Sequence, residues 1–116
     1  MKYINDNKDL TYSDLLALHA FSDRIKKTLG NNVRRMILFG SKARGTSGIN
    51  SDIDVLILVN NVTRTLKDQI FDVTANINLE YDVVVSPIIV TTDIYQKPEY
   101  RETYFYKATQ EEGYIL

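Results

Sequence analysis

Several residue types that often build functional sites are scarce in this chain. Cysteine is absent, and His19 is the only histidine. Without cysteine there can be no disulfide bond and no thiolate metal site, and one histidine cannot supply the ligands that zinc usually takes. The sequence therefore argues against zinc chemistry.

Neither an excess of one charge nor a long apolar segment is present. The 14 basic and 15 acidic residues give a net charge of -1, which predicts no broad positive surface for direct nucleic-acid binding. With no signal peptide and no membrane-length apolar run, we expect a cytoplasmic protein without membrane attachment. A chain of 116 residues is long enough for one modest core, and we expect a single domain over residues 1–116.

Hydrophobic periodicity predicts helices and strands along most of the chain. Helices are predicted over 13–29, 65–78 and 99–112, strands over 33–39, 53–59 and 80–86, and single helical turns over 42–45 and 93–95. Residues 1–11 are expected to form a loose arm or short cap, and residues 114–116 to pack back or pair at a sheet edge. Pro87 is expected to end the third strand. The predicted fold class is α/β (α+β), a small mixed β-sheet flanked by helices.

The most informative stretch runs from Phe39 to Asp54. An apolar run ends at Gly40-Ser41, a small polar turn is predicted over 46–51, and a second apolar run begins around Asp52-Ile53-Asp54. Side chains alternate along a strand, so the two carboxylates should share one side and repel each other unless a cation lies between them. Magnesium prefers such oxygen ligands together with phosphates, and a Gly-Ser turn leaves backbone N–H groups accessible to a phosphate.

These residues resemble the signature of a known superfamily. Gly40-Ser41, ten further residues and then Asp52-Ile53-Asp54 resemble the nucleotidyltransferases that include DNA polymerase beta. The fuller string Gly-Ser-Lys-Ala-Arg-Gly, with Ser51 before the aspartates, is similar to the minimal nucleotidyltransferase (MNT) antitoxins that partner HEPN toxins. The resemblance covers about residues 33–86. It implies a DNA polymerase beta-like fold and transfer of AMP from ATP to a hydroxyl of a HEPN ribonuclease, expected to be that of a tyrosine.

The resemblance also implies roles for individual residues. Asp52, Asp54 and Asp82 would be the catalytic carboxylates and would hold two Mg2+ ions, with Asp82 contributed by the third predicted strand. Gly40 and Ser41 would bind the β- and γ-phosphates of ATP. Lys42 and Arg44 are also candidate nucleotide-binding residues.

Some of these residues have structural interpretations that the sequence leaves open. Lys42 could instead be a solvated surface charge, and Arg44 could brace the loop through a carboxylate or carbonyl. Asp82 could be a strand-end aspartate paired with a basic residue. Ser51 is expected to shape the turn rather than contact substrate, and the tyrosines near the C-terminus could form core or a partner surface.

The chain has no predicted acceptor-binding domain, so another molecule must bring the acceptor. A HEPN-type toxin is the partner that the resemblance implies, in a hetero-oligomer or alongside a homo-oligomer. The HEPN motif itself needs an Arg shortly before a His, and no Arg precedes His19, which fits the antitoxin half of such a pair. Two alternatives remain open: a non-catalytic antitoxin that acts by occlusion, and a nucleotidyltransferase for small molecules such as aminoglycosides.

Overall fold

The fold is a mixed sheet with helices on both faces. The computed structural model describes residues 1–48 and 51–116. In these residues five strands have the order β1-β5-β2-β3-β4, where β1 is Lys2–Tyr3, β2 is Val33–Phe39, β3 is Ile53–Val59, β4 is Val85–Thr91 and β5 is Tyr114–Ile115. The helices are α1 (Tyr12–Leu29), α2 (Ser41–Arg44), α3 (Arg64–Tyr81), α4 (Thr92–Gln96), α5 (Pro98–Arg101) and α6 (Tyr104–Glu112). The predicted fold class is confirmed.

The centre of the sheet is built from β2, β3 and β4. Strand β2 pairs antiparallel with β3, and β3 pairs parallel with β4. Helix α3 is the crossover that joins β3 to β4. Helices α1 and α3 contribute to the larger of two clusters of buried apolar side chains, and α4 contributes to the smaller one. None of the helices in the described ranges has the length and apolarity needed to cross a membrane.

Helix α1 begins where the sequence predicts, within one residue. Thr11 caps it by accepting a hydrogen bond from the Asp14 N–H (3.0 Å), and the Asp14 carboxylate accepts from the Thr11 N–H (3.4 Å). This reciprocal pair satisfies two backbone donors that an α-helix leaves free at its start. The helix ends at Gly30, whose φ of 56° is unfavourable for residues with a side chain.

The predicted strand over 80–86 is wrong. Helix α3 continues to Tyr81, because Ile70, Thr74, Ile77 and Tyr81 keep the three- and four-residue spacing of one helix face. Asp82 then adopts a left-handed conformation (φ 52°) and ends the helix. Strand β4 therefore starts later than predicted and runs through to Thr91.

Pro87 does not end the strand, contrary to the prediction. The Ile53 N–H donates to the Val84 carbonyl (2.8 Å), whereas the Val85 N–H donates to the Asn78 side chain (2.8 Å). Because backbone groups alternate direction along a strand, Pro87 has its nitrogen on the outer edge, like Val85. A proline is tolerated there since no ladder hydrogen bond is lost, and the edge offers fewer donors to a further strand.

Both ends of the chain differ from the prediction. The predicted helix over 99–112 is divided into α5 and α6, and Thr103 caps the second of these by accepting from the Tyr106 N–H. The predicted pairing of the C-terminus is confirmed, but β5 lies inside the sheet because β1 covers its outer side. The first eleven residues are thus not a loose arm: they supply β1 and the buried side chains of Ile4 and Leu10.

The C-terminal tyrosines divide between core and surface. Tyr95 is buried, and its hydroxyl lies 2.6 Å from the Thr109 Oγ1. Its ring packs against Tyr100 and Tyr106. Tyr104, in contrast, is 80% exposed.

Candidate functional site

Asp52 and Asp54 lie at the start of β3. Asp54 is the second residue of the strand, and Asp52 is the residue just before the strand begins. Burial raises the pKa of the Asp54 carboxyl, the negative charge of Asp52 raises it further, and Arg44 lowers it. The two carboxylates therefore interact unfavourably, as their spacing predicts, and a bound cation would relieve that repulsion.

Gly40 lies directly against the Asp54 carboxylate. It follows Phe39, which pairs with Asp54 across β2 and β3, and its φ is 80°. A Cβ atom at this position would overlap the Asp54 Oδ2 and lie 3.3 Å from its Cγ. The glycine is required for two independent reasons, its backbone conformation and the lack of space for a side chain. The Gly-Ser turn and the aspartate pair consequently form one site.

Ser41 begins the short helix α2, which agrees with the predicted helical turn to within one residue. The Arg44 N–H donates to the Gly40 carbonyl (3.1 Å) and the Thr46 N–H to the Ser41 carbonyl (3.1 Å). The earlier amides of the turn have no partner within such a helix. Gly40 thus lies against Asp54, and Ser41 follows it as the first residue of α2. Their contact with phosphates stays a prediction.

Lys42 is buried, so its interpretation as a solvated surface charge is wrong. Only 7% of the residue is exposed, and its Nζ lies 3.1 Å from the Asp14 Oδ2. Asp14 belongs to α1, 28 residues earlier in the sequence. Sequence patterns do not indicate this partner, because Asp14 looks like an ordinary aspartate in the first turn of a helix.

Arg44 is exposed and braces the loop. Its Nη1 donates to the Glu112 Oε2 at the end of α6 (3.2 Å). It is also close enough to Asp54 to lower the pKa of that carboxyl. The bracing interpretation is confirmed, whereas a contact between Arg44 and a nucleotide stays a prediction.

Ser51 shapes the turn before the aspartates, as predicted. Its Oγ accepts from the Gly48 N–H (2.9 Å), and its own N–H donates to the Gly48 carbonyl (3.3 Å). Of the turn predicted over 46–51, residues 49 and 50 lie outside the described part of the chain.

Asp82 is not on a strand, which corrects the placement that the sequence predicted. It is exposed at the α3–β4 junction and lines a crevice of about 300 Å³ with Lys42, Ser51 and Asp14. The register of β3 and β4 instead places Ser86 beside Asp54, on the same side of the sheet. The sequence does not single out Ser86, because the strand predicted over 80–86 begins too early and places Asp82, rather than Ser86, beside the aspartate pair.

The residues present include oxygen ligands of the kind that magnesium takes. Asp52 and Asp54 offer oxygen ligands, and magnesium commonly takes one or two carboxylates plus substrate phosphates. Within residues 1–48 and 51–116, however, no three acidic or histidine side chains are grouped so that they could hold a metal ion. A two-ion site completed by Asp82 stays a prediction.

Comparison with known proteins decides the family. A model described as a nucleotidyltransferase domain matches residues 19–113. The chain belongs to the nucleotidyltransferase domain family. Two curated relatives come from Methanocaldococcus jannaschii. "Putative protein adenylyltransferase MJ0604" is 32% identical over 100 residues, covering 86% of this chain and 94% of the relative. "Putative protein adenylyltransferase MJ0141" is 43% identical over 70 residues, covering 60% and 71%.

The fold of this nucleotidyltransferase also resembles solved toxin–antitoxin structures. One was crystallised with AMP-PNP and has a TM-score of 0.53 at 17% identity, covering 82% of this chain and 68% of that one. Another, a mutant of the toxin–antitoxin MntA-HpeT, has a TM-score of 0.53 at 14% identity, covering 81% and 68%. At such identities the similarity establishes the fold alone.

Proposed function

We propose that this nucleotidyltransferase transfers AMP from ATP to a hydroxyl of a partner protein, and that the partner is a HEPN-type ribonuclease toxin which the modification silences. The observation that carries the proposal is the contact between Gly40 and the Asp54 carboxylate, because it joins the Gly-Ser turn and the aspartate pair into one site. The names of the curated relatives and the toxin–antitoxin neighbours support the same reaction and the same kind of partner.

In the proposed reaction the acceptor oxygen attacks the α-phosphorus of ATP. A new P–O bond forms, the bond to the bridging oxygen of the β-phosphate breaks, pyrophosphate leaves and the hydroxyl proton is released. Asp52 and Asp54 would hold magnesium, which supplies electrostatic stabilisation of the triphosphate when bound. Gly40 and Ser41 would orient the β- and γ-phosphates, and Arg44 would add a further positive charge.

The reaction can be tested by intact mass spectrometry. The protein is incubated with ATP, magnesium and the product of the neighbouring gene. We expect the partner to gain whole AMP units, about 329 Da each from the stoichiometry of the covalent transfer, and to gain none with Asp54→Asn. A partner that is inhibited without any mass gain would contradict the enzymatic proposal.

Such a result would favour an antitoxin that acts by occlusion. One observation gives this second function weight, namely that Asp82 does not join Asp52 and Asp54 in a group able to hold a metal ion. A catalytic site with two carboxylates has fewer ligands for positioning an acceptor than the three-carboxylate arrangement predicted from the sequence.

We propose that Asp82 acts on the acceptor side of the site. If it positions or deprotonates the acceptor, Asp82→Asn should lower the transfer rate by about 10²-fold or more, the typical scale of general base catalysis. Binding of ATP and magnesium should change by less than about twofold, since the ion is held by the other two aspartates. Asn also tolerates the left-handed conformation that Asp82 adopts.

The measurements are single-turnover transfer and calorimetric titration with ATP and magnesium. Asp72→Asn is the matched control, because Asp72 is an exposed aspartate of α3, the helix that Asp82 ends. This variant should leave both quantities unchanged. Transfer by Asp82→Asn at the wild-type rate would show that Asp82 takes no part in the reaction.

A further inference from the structure

Helix α2 carries Ser41 but cannot hold its own position. It spans four residues, far fewer than an isolated helix needs to be stable. Three successive residues of α2 are instead fastened to three other parts of the chain. The Lys42 Nζ pairs with Asp14 (3.1 Å), the Ala43 carbonyl accepts from the Asn7 side chain (3.3 Å), and Arg44 pairs with Glu112 (3.2 Å). The location of the Gly-Ser turn is therefore a tertiary property.

The Lys42–Asp14 ion pair is the more enclosed of the two ion pairs that hold α2. The side chains are 8% and 9% exposed, whereas those of Arg44 and Glu112 are 42% and 34% exposed. Asp14 is itself fixed, because its carboxylate also accepts from the Thr11 N–H at the start of α1. The ammonium of Lys42, the residue after Ser41, is thus held by a carboxylate that has little freedom to move.

Stability alone does not explain this pair. Two charges lose their hydration on burial, and replacing such a pair by apolar groups of similar size is often neutral or stabilising. What an apolar pair cannot supply is a directional contact of fixed length between α1 and α2. A displacement of about 1 Å in a reacting group can cost about 10²-fold in rate, so a fixed contact has a functional value here.

We propose that the Lys42–Asp14 pair is a positioning device that holds Gly40 and Ser41 in register with Asp54, and that Lys42 itself does not bind the triphosphate. The proposal rests on the proposed function, because it assigns a purpose to the position of the phosphate-binding turn. It gives Lys42 a positioning role in place of the candidate nucleotide contact, and it adds Asp14, which acts through Lys42.

The two candidate roles of Lys42 predict different affinities of Asp14→Asn for an ATP analogue. If Lys42 only positions the turn, Asp14→Asn and Lys42→Met should each weaken the binding of a non-hydrolysable ATP analogue with magnesium by about tenfold. The double variant should also lose about tenfold rather than a hundredfold, because residues that act through one contact are not additive. Lys42→Arg, which keeps the positive charge that pairs with Asp14, should bind more tightly than Lys42→Met.

Binding is measured by calorimetry at a temperature well below the melting point of every variant. Arg24→Met and Glu80→Gln are matched controls, since they break another ion pair between two helices (2.7 Å) that is exposed and remote in sequence from the turn. These controls should leave the affinity unchanged. The double variant leaves no buried charge without a partner, so it tests the proposal even if a single variant does not fold.

Three results would overturn the proposal. Normal affinity in Asp14→Asn together with weak binding in Lys42→Met would show that Lys42 contacts the triphosphate. A lowered melting temperature with unchanged affinity in the double variant would show a purely structural pair. A wild-type protein that does not bind the analogue would refute the proposed function as well, whereas the first two results leave that function intact.

Discussion

Asp54→Asn is expected to abolish transfer and, in the absence of magnesium, to raise the melting temperature at neutral pH. Loss of a carboxylate that holds the ion should cost about 10³-fold or more in rate, equivalent to about 4 kcal/mol of transition-state stabilisation. The stabilisation has a separate origin, because the wild-type carboxylate is partly buried and repelled by Asp52. The amide removes both penalties.

The sign of the pH dependence follows from the raised pKa of Asp54. A carboxyl whose pKa is higher in the folded state stabilises the fold fully below its unfolded pKa, and this contribution is lost as the pH rises through the folded-state pKa. The variant should therefore melt a few degrees higher than wild type at pH 7 and at the same temperature near pH 3.

Magnesium with ATP should reverse the order of the two proteins. A ligand that binds only the folded state stabilises it by mass action, and wild type should gain more than Asp54→Asn, which lacks one of the two oxygen ligands. Differential scanning fluorimetry at both pH values, with and without the ligands, measures all of these shifts. An equal magnesium-dependent shift in both proteins would place the ion elsewhere.

Gly40→Ala should damage both the fold and the reaction. Its φ of 80° is in a region that residues with a Cβ rarely adopt, which costs on the order of 1–3 kcal/mol. The added Cβ would in addition overlap the Asp54 Oδ2, so the carboxylate or the turn must move. A displacement of this kind in the catalytic site is expected to lower the transfer rate by about 10²-fold.

Gly30→Ala separates the two effects. Gly30 also has a positive φ, 56°, but a Cβ there would have no atom within 4 Å. It should lose a similar amount of stability, about 1–3 kcal/mol by chemical denaturation, and keep the wild-type transfer rate at temperatures where it is folded. Equal rates in the two variants would show that the Gly40–Asp54 contact is not needed for the reaction.

Local patterns were sufficient for much of the fold. Helix α1, strands β2 and β3 and the short helix α2 were predicted to within one residue at nearly every boundary. Each of them carries its own start and stop signals, such as Thr11 with Asp14 at one end of α1 and Gly30 at the other. The error at the α3–β4 junction lies where two continuations of the chain were locally equal. Tyr81 could extend a helix or begin a strand, and the α3 face that packs on the core favoured the helix.

The sequence by itself determined the aspartate pair and the Gly-Ser turn, because both depend on spacings of a few residues that any strand–turn–strand segment would preserve. Only the tertiary structure decided the surroundings of that pair. It buried Lys42 against Asp14, fastened Arg44 to Glu112, moved Asp82 to a helix end and brought Ser86 beside Asp54. These relations join residues 28 or more positions apart, apart from the placement of Asp82, which follows from how far α3 extends. They are set by which helix faces and strand registers bury the most apolar surface, a property of the whole chain rather than of any segment.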